Sequence, residues 1–169
     1  TSEECSSILK YMTELQQTVY TVKIDGKYIE EGCSLKSQDL EYNENTKWIY
    51  DKVKSYISNN VECEWINEPH GIFRNYSIDD FFVKHKDSVD KIGADKRYLT
   101  VSIQLTSPDH YLGGDIIINE EIYLSRDKGN TIMWGINVPH EVTKIKKGFR
   151  NALVFFVSTK HLKLVKNLL

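Results

Sequence analysis

At 169 residues, 40% of them hydrophobic and 27% charged, the chain is long enough to bury a single core without staples. A formal net charge of −2 lacks the basic footprint of a nucleic-acid binder, so no nucleic-acid partner is expected. The three cysteines, Cys5, Cys33 and Cys63, are odd in number and form no CxxC pair. They argue against a disulfide framework and a thiolate zinc site, and for a reducing, cytoplasmic setting. No stretch approaches the length of a membrane span and no signal-peptide pattern opens the chain, so no membrane partner is expected; Thr1 rather than Met stands first, as after trimming.

The predicted elements begin with a helix. Thr1 and Glu4 have capping-box spacing, and Cys5, Ile8, Leu9, Met12 and Leu15 follow on one face. A polar, Gly-containing stretch from Val22 to Asn45 reads as short strand pieces and loop. A second helix is expected from about Thr46 to Ser58, with Ile49, Val53, Tyr56 and Ile57 on its buried side and Trp48 and Tyr50 flanking. After Asn60 the period changes to two, with strands at 61–66, 70–76, 80–87, 97–105, 114–118, 121–124, 130–134, 138–144 and 149–158. Turns such as Ser107-Pro108-Asp109, Gly113-Gly114 and Lys146-Lys147-Gly148 separate them, and His161–Leu169 reads as an amphipathic closing segment. Helices followed by many short strands predict an α+β, mainly β fold: helices packed on a β-sandwich or jelly roll.

Two histidines and one aspartate carry the chemistry. His85-Lys86-Asp87 ends the apolar strand Phe81-Phe82-Val83, and residues i and i+2 of a strand project to one face, where both can reach one ion. His140 lies in a second strand 55 residues later. Two imidazoles and a carboxylate on one side of an ion leave the opposite positions open, which suits an Fe(II) oxygenase; zinc prefers four-coordinate sites richer in His or Cys. His70, His110 and His161 fall in turns or the tail and read as surface residues. Ten residues beyond His140, Arg150 interrupts the otherwise almost wholly apolar run Phe149–Val157. An arginine buried there is costly unless a carboxylate meets it, and a dicarboxylate ligand would do so.

With Phe73-Arg74-Asn75-Tyr76, His85-Lys86-Asp87, Arg97 through Pro108, Tyr111-Leu112-Gly113-Gly114 and His140 through Arg150 in this order and spacing, the sequence resembles the prolyl 4-hydroxylase type of Fe(II)/2-oxoglutarate oxygenase. The small PKHD-type hydroxylases are the closest group, and the resemblance spans nearly the whole chain. It implies a double-stranded β-helix (jelly roll, cupin-like) with N-terminal supporting helices, as a single domain over residues 1–169. The helical support would cover about 1–60 and the jelly-roll core about 61–158. It further implies that His85, Asp87 and His140 hold catalytic iron, that Arg150 pairs with the distal carboxylate of 2-oxoglutarate, and that Tyr76 lines the co-substrate pocket. Gln104 would face the cavity from the polar side of the strand Leu99–Thr106, where better-known prolyl hydroxylases carry a tyrosine, a departure that loosens any transfer of substrate preference. Trp134 and Val142 would wall the site and help exclude water.

The implied reaction couples oxidative decarboxylation of 2-oxoglutarate by O₂, yielding succinate and CO₂, to hydroxylation of a C–H bond, with ascorbate as a reductant. A prolyl residue in a peptide or protein is the favoured substrate. A small molecule or a nucleobase is the alternative within the same chemistry. A catalytically silent jelly-roll binding module is the alternative outside it, and its signature would be a broken triad or a missing arginine. All four positions are intact here. No expectation attaches to the oligomeric state.

Overall fold

The computed structural model describes residues 1–15, 20–21, 33–87, 97–123 and 126–164. Helix α1 (Ser2–Glu14) begins at the predicted capping box: the Thr1 hydroxyl accepts from the Glu4 backbone N–H at 3.3 Å, and the Glu4 carboxylate takes the Thr1 amino group at 2.6 Å. Cys5, Ile8 and Met12 are its buried residues. Helix α2 (Lys47–Ser58) buries Ile49, Tyr50, Val53 and Ile57. Tyr50 and Tyr56 exchange their expected places. The Tyr50 ring meets Phe155 edge-on at 5.2 Å and its hydroxyl donates to the Leu40 carbonyl, whereas Tyr56 is half-buried and donates to the Thr131 carbonyl at 3.1 Å. Each phenol turns toward a carbonyl its hydroxyl can reach, which helical periodicity alone does not encode.

The strands are β1 (Tyr20–Thr21), β2 (Cys33–Ser34), β3 (Lys36–Leu40), β4 (Val61–Trp65), β5 (His70–Tyr76), β6 (Phe81–His85), β7 (Arg97–Gln104), β8 (Tyr111–Gly113), β9 (Ile116–Ile118), β10 (Glu121–Tyr123), β11 (Thr131–Gly135), β12 (His140–Val142), β13 (Ile145–Gly148) and β14 (Arg150–Leu164). The larger sheet runs β1-β3-β5-β14-β7-β11, with β4 paired to the far half of β14; the smaller runs β10-β9-β12-β6-β2, and β8 and β13 form a separate ribbon. All pairings are antiparallel.

Alternation on the central strands of the larger sheet divides the molecule into layers. Leu99, Val101, Leu153, Phe155 and Val157 join the core that also holds Cys5, Ile8, Met12, Ile49, Val53 and Ile57 of the helices. The opposite face of β7 carries Thr100, Ser102 and Gln104, in register with Phe156, Val154 and Ala152 of β14. A second cluster joins Tyr76 of the larger sheet, Phe82 of the smaller sheet, Tyr111 and Ile145 of the ribbon, and Leu35, with Val142 packed against it. Two antiparallel sheets stacked across such a core, with helices on the outer face of one, form a jelly roll.

Three boundaries depart from expectation. β14 continues past Val157 to Leu164 because its second half pairs with β4, from Thr159↔Trp65 to Leu164↔Val61; the predicted closing segment is therefore partly strand, and 165–169 lie outside the described residues. Strands β2 and β3, within the stretch expected to hold short strand pieces, join the two sheets as that reading has it. The expected strand 114–118 begins at Ile116, and the expected strand 138–144 ends at Val142 as β12, with β13 starting only at Ile145. Gly113 and Gly114 cause both changes. With φ of +79° and +67° they leave the extended region, and a Cβ on Gly113 would stand 2.1 Å from the Lys144 carbonyl oxygen. That close approach of the chain pulls β13 onto β8 and away from β12. No helix among the described residues is long and apolar enough to cross a membrane.

Candidate metal centre and adjoining pocket

Strands β6 and β12 place His85 directly opposite His140, and their rings stand 4.2 Å apart. Asp87 lies two residues past His85, with its backbone N–H bonded to the Ile136 carbonyl at 3.0 Å. One ligand atom from each of the three side chains lies within 4.8 Å of the others. Asp87 Oδ1 is 3.5 Å from His85 Nε2, and Oδ2 is 3.5 Å from His140 Nε2.

The backbone decides which ring nitrogens face inward. His85 Nδ1 is 2.8 Å from the Val83 carbonyl and His140 Nδ1 is 3.0 Å from the Val138 carbonyl. A carbonyl only accepts, so each Nδ1 carries the proton and each neutral ring turns the Nε2 lone pair toward the carboxylate. Two imidazole lone pairs and a carboxylate facing one another repel unless a cation lies between them. The donor set fits a divalent metal, and the open side fits one that must also take exogenous ligands.

Further contacts hold the triad. The Thr100 hydroxyl donates to Asp87 Oδ2 at 2.6 Å. Burial pushes the Asp87 carboxyl up; the adjacent His85 and His140 and the Thr100 hydroxyl outweigh burial and hold it below its ordinary 3.8. Burial also lowers His140 from 6.5, against the opposing pull of Asp87, and so favours the neutral, ligating form. Phe82 stacks on His85 at 4.0 Å, and the Trp134 ring lies 4.8 Å from His140. The Trp134 indole N–H is buried and has no hydrogen-bond partner among the described residues. Val142 packs against the inter-sheet cluster and stands in register with Phe82.

The polar face of β7 leads from this triad into a cavity. Thr100 touches Asp87, while Ser102 and Gln104 line the cavity with Tyr111, Gly114, Arg126 and Arg150. Arg150 is only 2% exposed, yet no acidic side chain among the described residues pairs with it. It faces Tyr76 across the β5–β14 ladder, and its guanidinium carbon lies 5.4 Å from the centre of that ring. An aromatic face offsets only part of the penalty for burying a cation, so the pocket suits an anionic group. Gly114 keeps the space open: a Cβ there would stand 3.1 Å from Arg150 Cδ and 2.5 Å from Ile145 Cδ1.

The structure therefore brings His85, Asp87 and His140 together, with Gln104 and Arg150 lining the pocket beside them and Tyr76 against Arg150. Gln104 is buried and donates from Nε2 to the Thr106 carbonyl at 2.8 Å and to the Tyr111 hydroxyl at 3.0 Å. Tyr111 and Arg126 escaped sequence reasoning as pocket residues. Tyr111 stood in a turn-bounded segment, and Arg126 stood beside a turn where a basic residue signals nothing. His70 and His110 are exposed as expected; the His161 side chain and residues 88–96, which follow Asp87, lie outside the described residues.

No protein-family model matches this sequence, and no curated protein matches it significantly. Solved structures do match. The viral collagen prolyl hydroxylase of Paramecium bursaria chlorella virus-1, in complex with 2OG, is similar over 94% of this chain and 90% of its own, with a TM-score of 0.63 and 14% identity. A Pseudomonas putida prolyl-4-hydroxylase matches over 93% and 84%, with a TM-score of 0.64 and 15% identity. An oxidoreductase of the 2OG-Fe(II) oxygenase family from Burkholderia pseudomallei matches over 92% and 79%, with a TM-score of 0.65 and 15% identity. The likeness is one of fold: this chain has the jelly-roll architecture on which those proteins are built.

Proposed function

We propose that this protein is an Fe(II)- and 2-oxoglutarate-dependent oxygenase that hydroxylates a C–H bond, most directly that of a prolyl residue in a peptide or protein. The observation that carries the reading is the pairing of two unmet charges along one strand face: three inward-facing metal ligands at one end and, beyond them, a buried arginine that no acidic side chain among the described residues meets. A 2-oxo acid with a second carboxylate answers both. The fold shared with two prolyl hydroxylases supports proline as the first acceptor to test.

In this reading His85 and His140 present Nε2 to Fe(II), and Asp87 completes one side of its coordination. Thr100 keeps the Asp87 carboxylate oriented, and the Val83 and Val138 carbonyls keep each imidazole in the binding tautomer. Arg150 holds the far carboxylate of 2-oxoglutarate, with Tyr76 supporting the guanidinium and Gln104 furnishing part of the pocket wall. Phe82 and Trp134 shield the ligand rings from water. The bound iron would supply the coupling of O₂ reduction to 2-oxoglutarate decarboxylation; the protein's part is placement and a dry cavity. The whole chain is read as one catalytic domain, and the free thiols of Cys5 and Cys63 accord with a cytoplasmic setting.

Anaerobic titration of the metal-free protein with Fe(II) and 2-oxoglutarate tests the site through its weak visible charge-transfer band. The band should form with the wild-type protein and be absent in His140→Ala. Succinate release should then be screened with proline-containing peptides. If the wild-type protein binds neither Fe(II) nor 2-oxoglutarate, the oxygenase reading is wrong.

A further inference from the structure

Tyr111 lies on the ribbon strand β8, is 6% exposed and lines the same cavity as Arg150. Its hydroxyl oxygen is met by two donors: Gln104 Nε2 at 3.0 Å and Arg126 Nε at 3.4 Å. Neither contact can run the other way. Gln104 Nε2 also donates to the Thr106 carbonyl at 2.8 Å, which fixes the amide with its nitrogen toward the phenol, and a guanidinium has no acceptor. A phenol has two lone pairs and one proton. With both lone pairs engaged, its proton must go to a third group, and no acceptor for it stands among the described residues. The Tyr111 ring edge and Arg150 Cδ both close on Gly114, at 3.4 Å and 3.1 Å from the position its Cβ would occupy. The committed proton and the Arg150 guanidinium, which no acidic side chain among the described residues meets, thus belong to one end of one cavity.

Arg126 is itself held in place. Its Nη2 donates to the Gly113 carbonyl at 2.7 Å, its Nη1 is 3.5 Å from Asp115 Oδ1, and its guanidinium carbon lies 4.4 Å over the Tyr111 ring. Asp115 balances the Arg126 charge and leaves that of Arg150 for a ligand.

Resting on the pocket as a 2-oxo-acid site, we infer that Tyr111 is a further binding residue. Its hydroxyl donates to the far carboxylate of the acid beside Arg150, and Gln104 and Arg126 act as positioning residues that commit its proton to that carboxylate. The site then selects for a dicarboxylic acid by two donors from different strands, one charged and one neutral.

The test uses full-length protein loaded with Mn(II), which avoids turnover, and two probes followed by calorimetry. One is 2-oxoglutarate; the other is 2-oxopentanoate, which has the same chain with a methyl group in place of the far carboxylate. Tyr111→Phe should keep wild-type Mn(II) affinity and bind 2-oxoglutarate about 10- to 100-fold more weakly, the loss of a hydrogen bond to a charged group, with 2-oxopentanoate unchanged. Arg126→Gln should show the same selective loss to a smaller degree. Equal weakening of both acids by Tyr111→Phe would mean a packing role, and undiminished 2-oxoglutarate binding would mean no contact; either result overturns the inference. A wild-type protein that takes Mn(II) but neither acid overturns the pocket reading itself, and the inference with it.

Discussion

Replacing Arg150 by methionine should make the ligand-free protein more stable while removing its response to 2-oxoglutarate. Arg150 is 2% exposed, no acidic side chain among the described residues meets it, and its guanidinium lies against the Tyr76 face. Exchanging a buried ion for an apolar group of similar volume typically stabilises by about 1–4 kcal/mol. Loss of the cation–π contact subtracts about 1–2 kcal/mol. The net expectation is a gain of about 1 kcal/mol, a rise in Tm of roughly 2–4 °C for a chain of this size. Thermal unfolding in EDTA, without ligand, measures this term. A second scan with Mn(II) and 2-oxoglutarate at about one hundred times Kd should add roughly 2.7 kcal/mol to the wild-type protein and nothing comparable to Arg150→Met. A variant less stable than wild type without ligand would refute the argument, because the guanidinium would then already be compensated within the protein. Equal stabilisation of both proteins by 2-oxoglutarate would refute its assignment to the far carboxylate.

Thr100→Val removes the 2.6 Å bond to Asp87 Oδ2 without much change of volume, and should weaken metal binding by about 10- to 100-fold in competition with a chelating dye, with little change in fold by circular dichroism. Gly114→Ala places a side chain at φ +67° and against Arg150 Cδ; it should destabilise by about 1–2 kcal/mol in urea and weaken 2-oxoglutarate binding, whereas a neutral result would show that the ribbon yields there. The metal-free protein should lose stability in acid. His140 and Asp87 both bind protons more weakly when folded than unfolded, so their contribution is complete above pH 6.5 and is withdrawn as pH falls, first below 6.5 through His140 and then below 3.8 through Asp87. Urea midpoints in EDTA at pH 7.5 and 5 should differ less in His140→Phe than in the wild-type protein.

The triad was legible because strand periodicity is local. His85 and Asp87 share a face by counting, and the apolar run around Arg150 marks it as buried whatever the topology. The direct opposition of His85 and His140 was not legible, since register across two strands 55 residues apart is set by sheet pairing. The helices read well from capping and periodicity; Tyr50 and Tyr56 exchanged places because their hydroxyls chose among carbonyls supplied by other elements. The β8–β13 ribbon stayed hidden behind residues that resemble turns, Gly113-Gly114 and Lys146-Lys147-Gly148, although the glycines are what permit the chain to come so close. Tyr111 could have been suspected only from the segment it belongs to, and Arg126 not at all.

The cross-strand histidine pair bears on folding kinetics as well as on chemistry. His85 and His140 come from separate stretches of chain, and Thr100 of β7 in the other sheet steadies the Asp87 carboxylate. No short peptide can assemble these ligands, so a bound metal records that β6 and β12 have paired. The metal also ties the ends of a 55-residue span, which makes its dissociation a checkpoint that unfolding must pass. Metal loading should accordingly slow unfolding and proteolytic cleavage more than it accelerates folding, because the ligands converge late.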